Sequence, residues 1–178
     1  MNRVHASLML LLLGAIVPGT LVPAATAHQV PDFIKQSRAS GIRESQIRKI
    51  LDAMEAAASQ KDVDGILKYM APNITIKITV QLGTRAQHIT LTREQYRQYL
   101  QQGFQTTQTR TGKYTKLKIQ VAPNGKTATA TYTLVEEATL VGQPGTFKST
   151  TQETVKFEQI KGQILETAAT SNATIEVK

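Results

Sequence analysis

Two glutamates, Glu136 and Glu153, have a spacing that would let a pair of carboxyl groups transfer protons. Glu136 lies in the alternating stretch 127–141, whose apolar residues share its face of a β-strand. The turn that follows predicts a hairpin in which Leu134 lies opposite Glu153 and Glu136 lies opposite Thr151. The two carboxyl groups would then be diagonal neighbours, about 7–8 Å apart.

This carboxylate pair has two interpretations. In a partly apolar cavity, repulsion and desolvation would raise the pKa of one carboxyl group, which is the property that a general acid needs. At an open, solvent-filled entrance, both groups would simply be hydrated. The tyrosines of the same region would add hydroxyl groups to a cavity, or would be ordinary packed core residues. The candidate ligand-binding residues are Glu136, Glu153, Tyr132 and Tyr99.

Other reactive groups are scarce in this sequence. There is no cysteine, and His88 lies on the face of its predicted strand opposite Ile89, which indicates a surface position. No Ser/His/Asp grouping, glycine-rich phosphate loop or His-Glu metal motif is present. The sequence therefore predicts no metal ion and no cofactor.

The chain is basic, with a formal net charge of +8. Arg110, Lys113, Lys116 and Lys118 form a basic stretch, but a nucleic-acid site would interleave stacking aromatic side chains, and only Tyr114 is nearby. Solvated lysines on the face of a sheet explain this stretch better, so we expect no nucleic-acid partner.

The N-terminal segment 1–27 reads as a secretory signal peptide. It combines Arg3, a short apolar run and the small-x-small ending Ala25-Thr26-Ala27 before His28. The apolar run is about half of the roughly 20 residues that span a bilayer, so stable membrane insertion is not expected. We predict a periplasmic or secreted protein with a lead-in segment at 28–44 and one domain at 45–178.

The first half of this domain shows helical signals around one hairpin. Apolar spacing predicts a helix over 44–59, and Asp62 can cap a second helix whose face extends to Met70. Alternating strands at 74–82 and 85–91 would pair with Ile78 opposite Ile89. Thr92 then begins a capping box for a third helix that Gly103 should end, followed by a polar loop over 105–113.

The second half predicts a four-stranded antiparallel meander from Tyr114 to Val177. Asn124-Gly125 suggests a tight two-residue turn in which Gly125 has positive φ, which would place Ile119 opposite Ala130 and Leu117 opposite Tyr132. A three-residue turn ending at Gly162 would place Phe157 opposite Leu165 and Val155 opposite Thr167. The apolar faces of neighbouring strands coincide in these registers.

This order of elements, with the segment Lys61-Asp62-Val63-Asp64-Gly65-Ile66-Leu67-Lys68-Tyr69-Met70-Ala71-Pro72-Asn73, resembles the nuclear transport factor 2-like superfamily, which includes SnoaL-like proteins. The resemblance covers 45–177. It implies an α+β cone, with N-terminal helices packed on a curved, mostly antiparallel sheet. The family contains isomerases, dehydratases, polyketide cyclases, dioxygenase small subunits and non-catalytic members. Its enzymes commonly carry an acid near the first strand, and 74–82 contains none.

Two functions follow from this resemblance and from the residues. In the first, an exported, non-catalytic domain binds a small or apolar ligand, or a protein partner, and forms a homodimer through its Thr-rich sheet face. In the second, a small isomerase, dehydratase or polyketide-cyclase-like enzyme acts on a hydrophobic substrate, with Glu136 and Glu153 as acid and base. The scarcity of His, Asp and Cys at interior positions favours the first.

Overall fold

The computed structural model describes residues 41–177. Its helices are α1 (Glu44–Ser59), α2 (Val63–Leu67) and α3 (Arg93–Thr106). Its strands are β1 (Met70–Leu82), β2 (Arg85–Thr92), β3 (Thr107–Val121), β4 (Thr127–Leu140), β5 (Phe147–Ile160) and β6 (Gln163–Val177). The predicted signal peptide 1–27, its cleavage site, His28 and most of the lead-in lie outside the described residues.

The six strands form one mixed sheet in the order β2-β1-β6-β5-β4-β3. Strands β3 to β6 are the predicted antiparallel meander, and β1 joins it by pairing in parallel with β6. The hairpin of β1 and β2 has the predicted register, with Ile78 opposite Ile89. The fold is therefore α+β, as expected from the order of elements.

Helix α1 has the predicted bounds, and its apolar stripe is buried at Ile47, Ile50 and Leu51. Asp62 caps α2 as predicted, because its carboxylate accepts a hydrogen bond from the amide of Gly65 at 2.9 Å. The helix is shorter than its apolar spacing suggested. It ends at Leu67, and the remaining residues of the predicted face begin strand β1.

Helix α3 begins with the predicted capping box, in which the Thr92 hydroxyl accepts from the Gln95 amide and the Gln95 side chain accepts from the Thr92 amide. Its predicted end at Gly103 is wrong. The hydroxyls of Thr106 and Thr107 donate to the Gly103 carbonyl at 3.0 and 2.8 Å, which satisfies a terminal carbonyl without a glycine cap. Helix α3 passes directly into β3, so the predicted loop over 105–113 does not exist.

We call the sheet face that carries Ala130, Tyr132 and Glu136 the inner face. Near the β3–β4 turn the predicted register holds, with Ile119 opposite Ala130. The prediction that Leu117 lies opposite Tyr132 is wrong, because a β-bulge interrupts β3 at 116–117.

This bulge changes which residues of β3 face inward. Lys116, one of its two residues, has φ of +54°. The extra residue reverses the inward and outward alternation of residues 109–115. Tyr114 therefore lies opposite Leu134, and Gly112 lies opposite Glu136. Arg110 therefore turns to the inner face.

Strands β4 and β5 pair two residues away from the predicted register. Tyr132, not Leu134, lies opposite Glu153, and Glu136 lies opposite Ser149. A two-residue offset keeps every side chain on its predicted face, so both glutamates point inward. The offset nevertheless moves them apart.

Strands β5 and β6 pair one residue away from the predicted register near their turn. The turn has two central residues, Lys161 and Gly162, with φ of +49° and +85°, the signature of a type I′ hairpin. Phe157 consequently lies opposite Glu166 and not Leu165. A bulge then shifts the pairing again, so Val155 lies opposite Ala169 and not Thr167.

Gly125 has the predicted positive φ, at +65°. The turn is longer than the predicted two residues, because the Gly125 amide donates to the Ala122 carbonyl and the Ala122 amide donates to the Thr127 carbonyl. The Gly125 carbonyl accepts from the amide of Ile42 at 2.6 Å, which fixes the start of the described segment to this turn.

The outer face of the sheet carries the exposed threonines Thr131, Thr150, Thr154 and Thr170. Pairing of two copies of the chain through this face stays a prediction.

Candidate functional site

The inner face carries two groups of polar side chains. The first, here the Arg110 bridge, consists of Glu55 on α1, Arg110 on β3 and Glu136 on β4. The second, here the acid–tyrosine cluster, consists of Glu153 on β5, Glu166 and Ser171 on β6, Tyr96 on α3 and Tyr132 on β4.

In the Arg110 bridge, one guanidinium group binds two carboxylates. Its Nε and Nη2 atoms lie 2.8 and 2.6 Å from Glu136 Oε1, and its Nη1 and Nη2 atoms lie 2.9 and 3.1 Å from Glu55. The side chain of Arg110 is 12% exposed. Desolvation alone would lower the pKa of Arg110, but the hydrogen bonds and charges of Glu55 and Glu136 outweigh it and raise the pKa.

Gly112 provides the space for this bridge. It lies opposite Glu136 on the inner face, and a Cβ atom there would stand 2.5 Å from Glu55 Oε1 and 2.9 Å from Arg110 Nη2. The other oxygen of Glu136 accepts a hydrogen bond from the Ser149 hydroxyl at 3.3 Å. Glu136 is therefore a fixed, paired carboxylate.

Glu153 is in a different environment. It lies between Tyr132 and Ser171 on the neighbouring strands, and the Ser171 hydroxyl donates to its Oε2 at 2.7 Å. Desolvation raises its pKa to about 7, the Ser171 hydrogen bond opposes this shift, and the charge of Glu136 adds to it. Close to neutral pH, Glu153 therefore exists in both protonation states.

Glu166 is the most enclosed acid of the described residues, with 2% of its surface exposed. Its amide donates to the Tyr69 carbonyl, but no group among residues 41–177 donates a hydrogen bond to its carboxyl oxygens. Desolvation, and then the charge of Glu153, raise its pKa to about 8. At neutral pH, Glu166 is mostly an uncharged carboxylic acid.

Tyrosine hydroxyl groups surround these acids. Tyr96 and Tyr99 lie one turn apart on α3 with their rings stacked, 6.0 Å between centroids and 14° between planes. Desolvation, and then the charge of Glu136, raise the pKa of Tyr99 to about 12. Tyr99 therefore belongs near the Arg110 bridge.

Tyr96 and Tyr132 belong to the acid–tyrosine cluster. Desolvation raises the pKa of both hydroxyl groups, and the charges of Glu153 and Glu166 raise them further. Tyr132 also packs edge-on against the ring of Tyr114, whose hydroxyl donates to Asp52 on α1. The hydroxyl groups of Tyr96 and Tyr132 thus stay protonated and are available as hydrogen-bond donors.

The structure regroups the predicted site residues. Glu136, Glu153 and Tyr132 all face inward. Glu136 lies opposite Ser149, which is four residues before Glu153 on β5, so the two glutamates are not diagonal neighbours. At about 3.3 Å per residue this separates them by about 13 Å along the strand. The acid next to Glu153 in the cluster is Glu166, which would face outward if Leu165 lay opposite Phe157 as predicted.

Three findings concern other kinds of site. His88 is exposed, as predicted, and its Nδ1 atom lies 3.1 Å from the hydroxyl of Thr79. Within 41–177 there is no group of three or more side chains suited to hold a metal ion. No helix of that segment combines the length and apolar character needed to cross a bilayer.

Three solved structures show how widely this fold is shared. A conserved protein from Planctomyces limnophilus is 12% identical, with a TM-score of 0.64 over 75% of this chain and 97% of that one. The hexachlorocyclohexane dehydrochlorinase LinA-type3 from Novosphingobium barchaimii is 9% identical, with a TM-score of 0.60 over 75% and 88%. A nuclear transport factor 2-like protein of unknown function from Pseudomonas putida is 17% identical, with a TM-score of 0.53 over 72% and 84%.

At these identities the three structures establish a shared fold and nothing further. A search of curated protein sequences found no significant match. The family model described as "SnoaL-like domain" matches residues 47–163, which include the whole Arg110 bridge and Tyr96, Tyr132 and Glu153 of the acid–tyrosine cluster, but not Glu166 or Ser171. The chain belongs to the SnoaL-like domain family and has the nuclear transport factor 2-like fold.

Proposed function

We propose that the interior between the inner face and helices α1 and α3 binds a small, mainly apolar ligand with one polar group. The observation that carries this proposal is the carboxyl group of Glu166, which is enclosed by the protein without a hydrogen-bond partner among residues 41–177. Enclosed polar groups in proteins normally have hydrogen-bond partners. A ligand that pairs with Glu166 would supply one.

The surroundings of Glu166 support a ligand with an apolar body. Its cross-strand neighbours are Phe157 and Met70, and both are buried. The hydroxyl groups of Tyr96 and Tyr132 and the carboxyl of Glu153 supply the other polar contacts. Ligand sites commonly combine an apolar lining with a few polar groups of this kind.

A substitution that fills the interior tests this proposal. Ser171 and Asn172 are adjacent on β6, and Ser171 faces inward next to Glu153 while Asn172 is exposed on the outer face. We expect the neutral fluorescent probe N-phenyl-1-naphthylamine to bind the parent protein and the Asn172→Phe variant with similar affinity. Ser171→Phe should weaken its binding at least about tenfold, because the new ring occupies the interior.

Circular dichroism of both variants checks that they are folded. Equal probe binding by Ser171→Phe and Asn172→Phe, or no probe binding by the parent protein, would refute an accessible interior site.

A second candidate function is proton transfer on the bound ligand, as in an isomerase or dehydratase. It is favoured by the different environments of Glu153 and Glu166, whose pKa values of about 7 and about 8 suit a general base and a general acid. Glu136 is unsuited to this work because its carboxyl group is already bound to Arg110.

Deuterium exchange distinguishes this candidate from simple binding. An enzyme of this kind would exchange acidic carbon-bound hydrogens of its ligand with deuterated water, and Glu153→Gln would slow the exchange at least about a hundredfold. Mass spectrometry of a ligand recovered from the protein would detect the exchange. A bound ligand that never exchanges would leave the binding function without the catalytic one.

A further inference from the structure

We infer that the interior ligand carries a cationic head group, a quaternary or protonated amine, which binds between the carboxylates of Glu153 and Glu166 and the aromatic side chains of Tyr96 and Tyr132. This inference rests on the proposed interior binding function and names its ligand class.

The charge balance of the inner face is the first argument. The acids that face the interior from the described elements are Glu55, Glu136, Glu153 and Glu166. Arg110 compensates the first two, since its guanidinium binds both of their carboxylates. No ion pair within 41–177 includes Glu153 or Glu166, and no basic side chain of that segment lowers the pKa of either.

The basic residues of the neighbouring elements pair with other groups. Arg93 on α3 donates through Nη2 to the Leu67 carbonyl while its buried Nε has no partner within 41–177, and Arg97 pairs with Asp64 at 2.6 Å. Lys61 donates to the Thr107 carbonyl. The acid–tyrosine cluster therefore has two carboxyl groups and no cation of its own among the described residues.

The enclosure of Glu166 is the second, independent argument. A lone acidic pair at a surface would be hydrated, but residue Glu166 is 2% exposed and its carboxyl group has no hydrogen-bond donor within 41–177. An organic cation with an apolar body can enter such a site, whereas a small hydrated cation would first lose its water shell. A ligand ammonium supplies a positive charge that stabilises the ionised carboxyl group.

The tyrosine side chains are the third argument. Aromatic rings attract cations through the negative potential of their faces, and tyrosine-rich pockets are a general solution for binding methylated ammonium groups. Tyr132 on β4 lies directly opposite Glu153 on β5, and the charges of both acids act on the hydroxyl groups of Tyr132 and of Tyr96 on α3. An anionic ligand would meet repulsion here from the ionised form of Glu153.

Binding of a cation should also release protons from the protein. In the free protein at neutral pH, Glu166 holds a proton and Glu153 holds one part of the time, because their pKa values are about 8 and about 7. A bound cation stabilises the ionised forms and lowers both pKa values, so protons leave as the ligand enters. A neutral ligand that accepts a hydrogen bond from protonated Glu166 would cause no release.

Three matched ligand series test the inference. They are n-alkyltrimethylammonium ions, n-alcohols and n-alkylcarboxylates with chains of about four to eight carbons, each titrated calorimetrically into the full chain. We expect the ammonium ions to bind at least about tenfold more tightly than the alcohols of the same length, and the carboxylates most weakly.

Proton release is measured in the same experiment by repeating it in buffers with different ionisation enthalpies. Quaternary ammonium ions carry no titratable proton, so every released proton comes from the protein. Near pH 7 we expect release of about half a proton to one proton per bound ammonium ion and none for the alcohols.

Variants locate the effect. Glu153→Gln combined with Glu166→Gln should abolish the ammonium preference and the proton release while alcohols still bind. The exposed outer-face variant Glu176→Gln should behave as the parent protein. Alcohols that bind as tightly as ammonium ions, or a preference that survives the double variant, would overturn the cationic ligand and leave the interior site intact. Failure of all three series to bind would overturn both proposals.

Discussion

The variant Glu166→Gln is expected to be more stable than the parent protein at neutral pH, by an amount that grows as the pH rises. Folding raises the pKa of Glu166 from 4.5 to about 8. The folded protein therefore holds a proton that the unfolded chain releases, and the associated stability is fully present below the unfolded value and is lost as the pH rises through the folded one. The glutamine side chain has nearly the same shape as glutamate but has no group that titrates in this range.

The expected effect is large because each unit of pKa shift corresponds to about 1.4 kcal/mol. Between about pH 5 and about pH 7.5, the advantage of Glu166→Gln should grow by about 3 kcal/mol. Urea unfolding of both proteins at the two pH values measures it. Glu176→Gln, on the exposed outer face, is the control and should change stability by no more than about 0.5 kcal/mol. An advantage that is the same at both pH values would contradict the burial of Glu166.

The variant Arg110→Met is expected to destabilise the protein by about 3 kcal/mol at neutral pH. Removal of the guanidinium leaves Glu55 and Glu136 close together and without their shared partner, and breaking one side of an enclosed ion pair typically costs about 3–5 kcal/mol. We expect a value at the lower end because the two glutamates keep side-chain exposures of 21% and 28%.

A neighbouring lysine provides the control for this prediction. Lys113 lies on the same strand and is exposed on the outer face, so Lys113→Met should cost no more than about 0.5 kcal/mol. Adding Glu55→Gln and Glu136→Gln to Arg110→Met should restore about half of the lost stability, since the unpaired charges are then removed. Equal urea midpoints for Arg110→Met and Lys113→Met would contradict the bridge.

Local signals predicted those parts of the structure that local interactions determine. The 3.6-residue period of apolar residues predicted both ends of helix α1 correctly. The caps at Asp62 and Thr92 were also predictable, because these side chains bind backbone amides only three residues away. The register of β1 with β2 followed from one short turn between two alternating strands. In each case, residues close in sequence make the deciding contacts.

The site was harder to predict because it depends on strand registers over longer distances. The bulge at Lys116 turns Arg110 inward, although a lysine is an unusual residue for positive φ and its sequence context carries no bulge signal. At Lys161-Gly162 a signal existed, since a glycine in a short turn also fits a two-residue type I′ hairpin. The predicted three-residue turn would turn Leu165 inward and Glu166 outward, the reverse of the observed register.

The central claim is that Glu153 and Glu166 are enclosed, titrating groups of an interior site. Carbon-13 NMR of the glutamate side-chain carboxyl groups over the pH range tests it most directly, with Glu153→Gln and Glu166→Gln assigning the signals of this coupled pair. We predict two carboxyl groups with midpoints near 7 and near 8, each lost in one variant. If every glutamate titrates in the ordinary range of about 3 to 5.5, both groups are hydrated, and the account of an enclosed acid site is wrong.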